Sequence, residues 1–411
     1  MVLRKRASIA ALASVPLMMT LGNSMLIPIL PELSKELRVN SFQVSLIITV
    51  YSVVAIILIP LAGYLSDRIG RKKVIIPALI LVAIGGLVSA LASSLGSGSY
   101  LFVLVGRFLQ GAGAAGAAPI VFPLTGDLFK EEDEVSAVLG LVETSNTFGK
   151  VLSPVLGSLI ALIAWDMPFY AIPVFSLMSL LLILYFIRIP KQRGQKNDKQ
   201  PKPVPFQQFR ANILTILKRE GKWLSAVFIS GGAGMFAIFA ILFYLSESLE
   251  QRYDFKGVAK GGLLAIPLSA LCLASYLTGK CIGERKVLMK WLSVSGMAGL
   301  TLVLFLCGML TPSGLAVLLS LIGIGAAGIG VLLPCMDALI TEGIPKEERG
   351  TVTSLYSSMR FLGVAVGPPA ASLLIGKGIG PLFYTVSAVS ALTVILILLM
   401  IKPDHGPNFL N

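Results

Sequence analysis

Charge is scarce in this 411-residue sequence: Asp, Glu, Lys and Arg together make up 13% of it, about half the share of a soluble domain. With 55% hydrophobic residues, the chain has too little polar surface to cover a globule, and it must face lipid. Histidine is nearly missing. The single copy, His405, stands in the C-terminal tail, which excludes a histidine-based metal site or proton relay. The four cysteines, Cys272, Cys281, Cys307 and Cys335, fall in or beside apolar stretches of the second half and show neither a disulfide framework nor zinc spacing. No Gly-x-x-x-x-Gly-Lys-Ser/Thr phosphate loop occurs, so nucleotide chemistry has no seat. Neither His-Glu-x-x-His nor Gly-x-Ser-x-Gly occurs, which leaves a polytopic membrane enzyme without its metal or nucleophile.

What the chain has instead is long apolar runs. Twelve can be marked, at 8–30, 42–65, 74–95, 100–124, 136–161, 167–189, 223–247, 258–278, 288–310, 314–341, 350–375 and 380–401, each near or above the ~20 residues a helix needs to cross a bilayer. The net charge of +13 could suggest nucleic acid, but its placement decides against that partner. With the N-terminus inside, internal loops and tails hold 25 of the 34 Lys and Arg residues, external loops hold 6, and Arg107, Lys150 and Arg360 lie within spans. This is the positive-inside pattern, and it expects a multi-pass membrane protein with both termini cytoplasmic; placement in the cytoplasmic membrane is what the family resemblance given below implies. Arg4 to Arg6 and the small residues at 11–14 are reminiscent of a cleavable signal, yet the apolar run continues to Leu30, so an uncleaved first helix is expected.

The chain also repeats itself. Gly63-Tyr-Leu-Ser-Asp-Arg-Ile-Gly-Arg-Lys-Lys73 has an altered copy, Ser275-Tyr-Leu-Thr-Gly-Lys-Cys-Ile-Gly-Glu-Arg-Lys286, and Tyr64 and Tyr276 are 212 residues apart. Two duplicated units follow: a six-helix bundle over 1–190, a cytoplasmic linker over 191–222, and a second six-helix bundle over 223–411. Lys191 to Pro205 reads as a solvated connector, and Phe206 to Leu217 as a short amphipathic helix on the inner membrane surface.

Three motifs carry a family resemblance. The first is Gly63-x-Leu65-x-Asp67-Arg68-x-Gly70-Arg71-Lys72-Lys73, between spans 2 and 3; the second, in span 4, is Arg107-Phe-Leu-Gln110-Gly-Ala-Gly-Ala-Ala-Gly-Ala-Ala-Pro119. The third, in span 5, is Gly149-Lys-Val-Leu-Ser153-Pro154-Val-Leu-Gly157-Ser158, echoed in span 11 by Gly363-Val-Ala-Val-Gly367-Pro368. Over nearly its whole length the chain resembles the major facilitator superfamily, and within it the twelve-helix drug:proton antiporters. The antiporter pattern in helix 5 is Gly-x-x-x-Gly-Pro-x-x-Gly-Gly, and Ser153 and Ser158 keep two of its glycines small.

That resemblance implies an all-α membrane protein: twelve transmembrane helices in two pseudo-symmetric six-helix bundles around a cavity that opens to each side in turn. It implies a proton-coupled antiporter exporting small amphipathic molecules such as drugs or siderophore-like metabolites, with no cofactor and the proton gradient as energy source. An importer of an organic anion, or a lipid-linked flippase, on the same fold is the alternative. The partners expected are a small amphipathic substrate and membrane lipid, with the chain acting as a monomer.

Residue roles follow. Gly63 lets a neighbouring helix approach, and by resemblance Asp67, Arg71 and Asp127, with Arg68 and Gly70 in the same loop, form a conformational latch; otherwise the basic residues only anchor topology. Gly149, Ser153, Pro154 and Gly157, with Gly363, Gly367 and Pro368, suggest hinges at the interface of the halves. Arg107, roughly 10 Å inside the membrane at 1.5 Å rise per residue, shares a face with Gln110. It either lines the cavity and takes part in coupling or is capped by backbone carbonyls of helix 1.

Glu143, with Asn146 and Lys150 on the same face, is the first candidate proton carrier, unless it stays paired with Lys150 or Arg107. Asp337, near the inner end of helix 10, is the second, against the reading that it is a solvated end-of-helix residue. Arg360 falls opposite Asn146 when the Gly-Pro motifs are aligned at their 214-residue offset. Three buried bases against one well-buried acid favour an anionic, zwitterionic or neutral substrate. Its wall is expected from Asn23, Arg107, Gln110, Asn146, Lys150, Arg360, and the adaptable apolar surfaces of Met235 and Phe239.

Overall fold

The computed structural model describes residues 2–96, 98–129, 132–187, 206–283, 285–312 and 314–402. The solvated connector at 191–205 and the tail with His405 lie outside them. Strands are absent among the described residues. The helices are α1 (Val2–Ser24), a 3-10 turn (Ile27–Ile29), α2 (Leu30–Glu36), α3 (Ser41–Ile69), α4 (Arg71–Ser93), α5 (Tyr100–Leu128), α6 (Glu132–Ala161) and α7 (Met167–Phe186). After the connector come α8 (Phe206–Gln251), α9 (Gly257–Ile282), α10 (Lys286–Leu310), α11 (Leu315–Gly343), α12 (Lys346–Ile375) and α13 (Ile379–Met400).

Eleven of these, among the described residues, are long and apolar enough to cross a membrane. The sequence expects twelve, and the remaining span is α6, a 30-residue helix that carries Glu143 and Lys150 and so falls short in hydropathy though not in length. The expected surface helix at 206–217 also differs. It is continuous with the seventh span, so α8 runs 46 residues without a break across the 222/223 boundary.

Each contact inside the first half has a counterpart in the second. Helix α1 packs on α6 and α7, α3 and α4 on α5, and α4 on α7; α8 packs likewise on α12 and α13, α9 and α10 on α11, and α10 on α13. Between the halves the same exchange holds, α3 against α12 and α6 against α9. Ion pairs repeat too: Lys5 pairs with Glu134 and Arg219 with Glu348, each partner displaced by 214 residues, the offset of the Gly-Pro motifs. In lipid, where apolar burial gives helices no advantage, small residues let such contacts close. A Cβ at Gly157 would strike the Met25 carbonyl, and one at Gly363 the Gly232 carbonyl.

One end of the bundle carries the Arg71 loop and the start of α8; it is called here the basic end. At the far end the halves are pinned together. Ser246 Oγ donates to the Ile27 carbonyl at 2.7 Å, and Lys35 Nζ to Glu250 Oε1 at 2.7 Å, while Lys260, 2% exposed, holds the other Glu250 oxygen at 3.0 Å. Lys35 belongs to the first half, Glu250 and Lys260 to the second. Lys35→Gln therefore weakens a contact that exists only while the far mouth is shut, and it leaves the buried Glu250–Lys260 pair intact. Lys35 is exposed, so the loss is about 1 kcal/mol, about a fivefold change in the open-to-shut ratio. The expected result is several-fold faster labelling of a Ser24→Cys probe, in an otherwise cysteine-free chain, by an impermeant thiol reagent added at the far side; an unchanged rate counts against the contact as a gate.

Candidate functional site

The cleft between the halves is lined by Ser24, Lys150, Met235, Ile238, Phe239, Leu242, Leu268 and Leu271. Three of these, Lys150, Met235 and Phe239, are wall residues expected from the sequence, and α6 and α8 bring them together from opposite halves. One turn before Lys150, Asn146 donates its amide to Glu143 at 3.2 Å and accepts from Thr20 Oγ1 of α1 at 2.5 Å. Across the cleft, Arg360 of α12 faces Asp337 of α11 at 3.7 Å, with side-chain exposures of 15% and 39%. Lys150 is within electrostatic reach of Arg360, Glu143 and Asp337, and Arg360 of Glu143. Two acids and two bases from three helices, α6, α11 and α12, thus lie within electrostatic reach of one another.

How little these cations are used is the informative point. Among the described residues, neither the Lys150 ammonium nor the Arg360 guanidinium makes a hydrogen bond to protein; Arg360 has only the long contact to Asp337 and a position 5.7 Å from the centre of the Tyr356 ring. A guanidinium has five N–H donors and an ammonium three. Charges at membrane depth whose donors stay largely unfilled mark the path of an ion or substrate. Glu143 forms no ion pair within the described residues, so neither of its expected pairings, with Lys150 or with Arg107, closes in this state.

Arg107 sits elsewhere. It is 0% exposed, its Nε donates to the Ile47 carbonyl at 2.8 Å, and its terminal nitrogens donate to Gln110 Oε1 at 2.5 Å and Asn23 Oδ1 at 2.6 Å. The guanidinium also stacks 4.6 Å from the centre of the Tyr51 ring. Asn23, Gln110 and Arg107 therefore meet as a buried hub joining α1, α3 and α5, apart from the cross-half cleft. The carbonyl it caps belongs to α3, where helix 1 was expected. A counter-charge is missing because neutral oxygens and a ring face suffice for a delocalised cation with matched donors.

The loop motif assembles as its spacing suggests. Arg71 pairs with Asp67 and reaches Asp127 Oδ2 at 3.4 Å and Ser66 Oγ at 2.7 Å. Gly70, at φ 104°, turns the chain from α3 into α4, a conformation only glycine adopts freely. Arg68 has no recorded partner among the described residues. Gly63 does not provide the close approach expected of it: a Cβ there would meet only Ser354 of α12, at an ordinary 4.0 Å.

The Gly-Pro motifs also differ from expectation in what they face. Gly149 and Gly157 pack on α1 of their own half, Gly363 and Gly367 on α8 of theirs. Other edges of both motifs reach the opposite half: a Cβ at Gly261 of α9 would strike the Pro154 carbonyl and the Ser158 hydroxyl of α6, and Thr49 Oγ1 of α3 donates to the Ala365 carbonyl of α12 at 2.7 Å. Ser153 is 0% exposed, and both α6 and α12 run on through Pro154 and Pro368. Small residues every four positions say that something packs closely, but not which helix.

Sequence reasoning missed Thr20, Ser24, Tyr356, the Asp337–Arg360 pairing and the Lys35–Glu250–Lys260 contact. A partial signal existed for the first two, which flank Asn23 in a short polar interruption of span 1. The others depend on neighbours far away in the chain.

The family model described as Major Facilitator Superfamily matches residues 12–368 and 290–410. The chain is 50% identical over 405 residues to the bacillibactin exporter of Bacillus subtilis (strain 168), covering 98% of each protein. It is 25% identical over 383 residues to the multidrug efflux protein YfmO of the same organism, covering 92% of this chain and 89% of that one. Among solved structures, the human organic anion transporter MFSD10 superposes with a TM-score of 0.72 at 20% identity, over 95% of this chain and 99% of that one. A D-xylose-proton symporter superposes with a TM-score of 0.75 at 14% identity, over 96% and 98% of the two chains. At those identities the structural likeness speaks to fold alone.

Proposed function

The chain belongs to the Major Facilitator Superfamily as an efflux transporter, and on that premise we propose that it is a proton-driven exporter of amphipathic organic anions. It resides in the cytoplasmic membrane with its basic end and both termini inside the cell, and acts as a monomer. The observation that carries the reading is a pair of cations from opposite halves within electrostatic reach of each other and without hydrogen bonds to protein among the described residues: Lys150 in the cleft wall, and Arg360 beside it with only its long contact to Asp337. A cargo held by both ties its own passage to the relative motion of the halves, which is what alternating access needs.

Apolar walls at Met235 and Phe239 take the cargo's body while the cations take its charge. Bacillibactin is the first cargo to try, since a relative at 50% identity exports it. Energetics favour the direction. Each negative charge carried outward gains about 2.3 kcal/mol per 100 mV of inside-negative potential, and each proton carried inward gains the same. Glu143 and Asp337 are the proton carriers in this reading. A proton on either carboxyl cancels its attraction for the cation across the cleft, so which mouth is open follows protonation.

Proteoliposomes with the far end facing an acidified lumen test it. Bacillibactin uptake should follow the imposed pH gradient, and Glu143→Gln or Asp337→Asn should remove that dependence while leaving binding. Uptake indifferent to the gradient in the unaltered protein overturns proton coupling; efflux in place of uptake overturns the direction.

A further inference from the structure

One polar group at the wall of the cleft has no task in the account above. Tyr356, one turn before Arg360 on α12, is 1% exposed, and its hydroxyl has no hydrogen-bond partner among the described residues. Its ring lies 6.3 Å from that of Phe228 and 5.7 Å from the Arg360 guanidinium, centre to centre. Gly231 of α8 makes the seat: a Cβ there would strike the ring and stand 2.8 Å from the hydroxyl. The phenol is within electrostatic reach of Asp337 and Arg360 in its own half and of Glu143 in the other. The group is therefore beside the cleft and not in a remote core.

Phenylalanine would fill this seat at no polar cost, whereas a buried hydroxyl without a partner forfeits the hydrogen bonds it made to water. Such a group calls for a reason. The chemistry of its neighbours supplies one. Lys150 and Arg360 can only donate hydrogen bonds, and ionised Glu143 and Asp337 can only accept them; a tyrosine hydroxyl does both. It can pair with a neutral hydroxyl on a ligand whose charged oxygen the cations hold.

We propose that Tyr356 is the specificity-determining residue of this cleft: its hydroxyl turns from the Gly231 seat to a hydroxyl on an aromatic anion whose charged oxygen is bound by Arg360 and Lys150. The cargo class is thus a hydroxylated aryl acid or phenol-bearing anion, its ring against Phe239 and Met235. This rests on the anion-export reading and narrows it. Pairing with the ligand recovers the deficit of the resting seat. A site that pairs a ligand hydroxyl discriminates against an analogue lacking it more sharply than an apolar wall can.

The test uses the purified full chain and two probes, 3-hydroxybenzoate and benzoate, with affinities measured by calorimetry. The unaltered protein should prefer 3-hydroxybenzoate about tenfold, which corresponds to about 1.4 kcal/mol. Tyr356→Phe should bring that ratio to about one, leaving benzoate affinity unchanged and the melting temperature unchanged or higher, because it removes an atom that bonds nothing. A merely structural tyrosine would lower the melting temperature on replacement and leave the ratio where it was. Arg360→Gln should weaken both probes together. Equal binding of the two probes by the unaltered protein overturns the assignment without any variant, and so does a ratio that survives Tyr356→Phe. If Arg360→Gln leaves both affinities intact, the anion reading itself fails.

Discussion

Replacing Lys150 and Arg360 together by glutamine is expected to lower export of an organic anion such as bacillibactin by two to three orders of magnitude while leaving the fold intact. Neither cation makes a hydrogen bond to protein among the described residues, so truncation orphans no hydrogen-bond partner; it leaves the Asp337 carboxylate without its cation, a charge that protonation can remove. It also relieves the repulsion of two like charges facing one cleft. Each cation is free to give a charge-assisted contact to the cargo worth about 1.5–3 kcal/mol, or roughly tenfold to a hundredfold apiece. The two losses are coupled because they hold one ligand. Proteoliposome flux and thermal melting, measured on the two single variants and the double, separate the effects. A double variant that melts normally and transports normally would remove the cleft from substrate binding.

Arg107→Ala is expected to do the opposite, taking stability and with it transport. Truncation orphans the Asn23 and Gln110 carbonyl oxygens and the Ile47 carbonyl, and it opens a void beside Tyr51. Interhelical hydrogen bonds inside membranes average about 0.6 kcal/mol and reach about 1.7, so three lost together with their packing amount to about 2–5 kcal/mol. Arg107→Lys should recover only part, because one ammonium cannot fork to three acceptors on three helices. Melting in detergent and expression level are the measurements. A normal melting temperature for Arg107→Ala would place the residue in the transport cycle and not in the frame.

These two expectations divide residues that look alike in the sequence. Arg107, Lys150 and Arg360 are each a lone base in an apolar run, and the sequence offers the same electropositive interior to all three. In the fold, Arg107 is fully enclosed and satisfied by neutral oxygens, whereas Lys150 and Arg360 face the cleft. Asp337, weighed against a solvated helix end, stands against Arg360. The acid count of the interior thus rises from one to two. Asn23 and Gln110, expected on the substrate wall, belong to the hub; Met235, Phe239 and Lys150 meet at the cleft as expected. The charged cluster of the loop motif was legible, since Asp67 and Arg71 are four residues apart on adjoining helix ends and Asp127 closes a span ending at the same depth, whereas Gly63 and Arg68 take no part in it.

The sequence by itself determined that the chain lives in lipid, that it crosses the membrane as helices, that its two halves repeat, and that its family is the Major Facilitator Superfamily. Hydropathy, charge placement and local motifs record these directly, because burial in hydrocarbon constrains every residue of a span. Only the tertiary structure decided which glycine faces which helix, which buried base is satisfied, and that Lys35, Glu250 and Lys260 pin the far end. These depend on the rotation of each helix about its own axis and on partners up to hundreds of residues away. Apolar spans with little periodic bias leave that rotation unwritten, and it is settled by the packing of small residues and by where the few buried polar groups find one another.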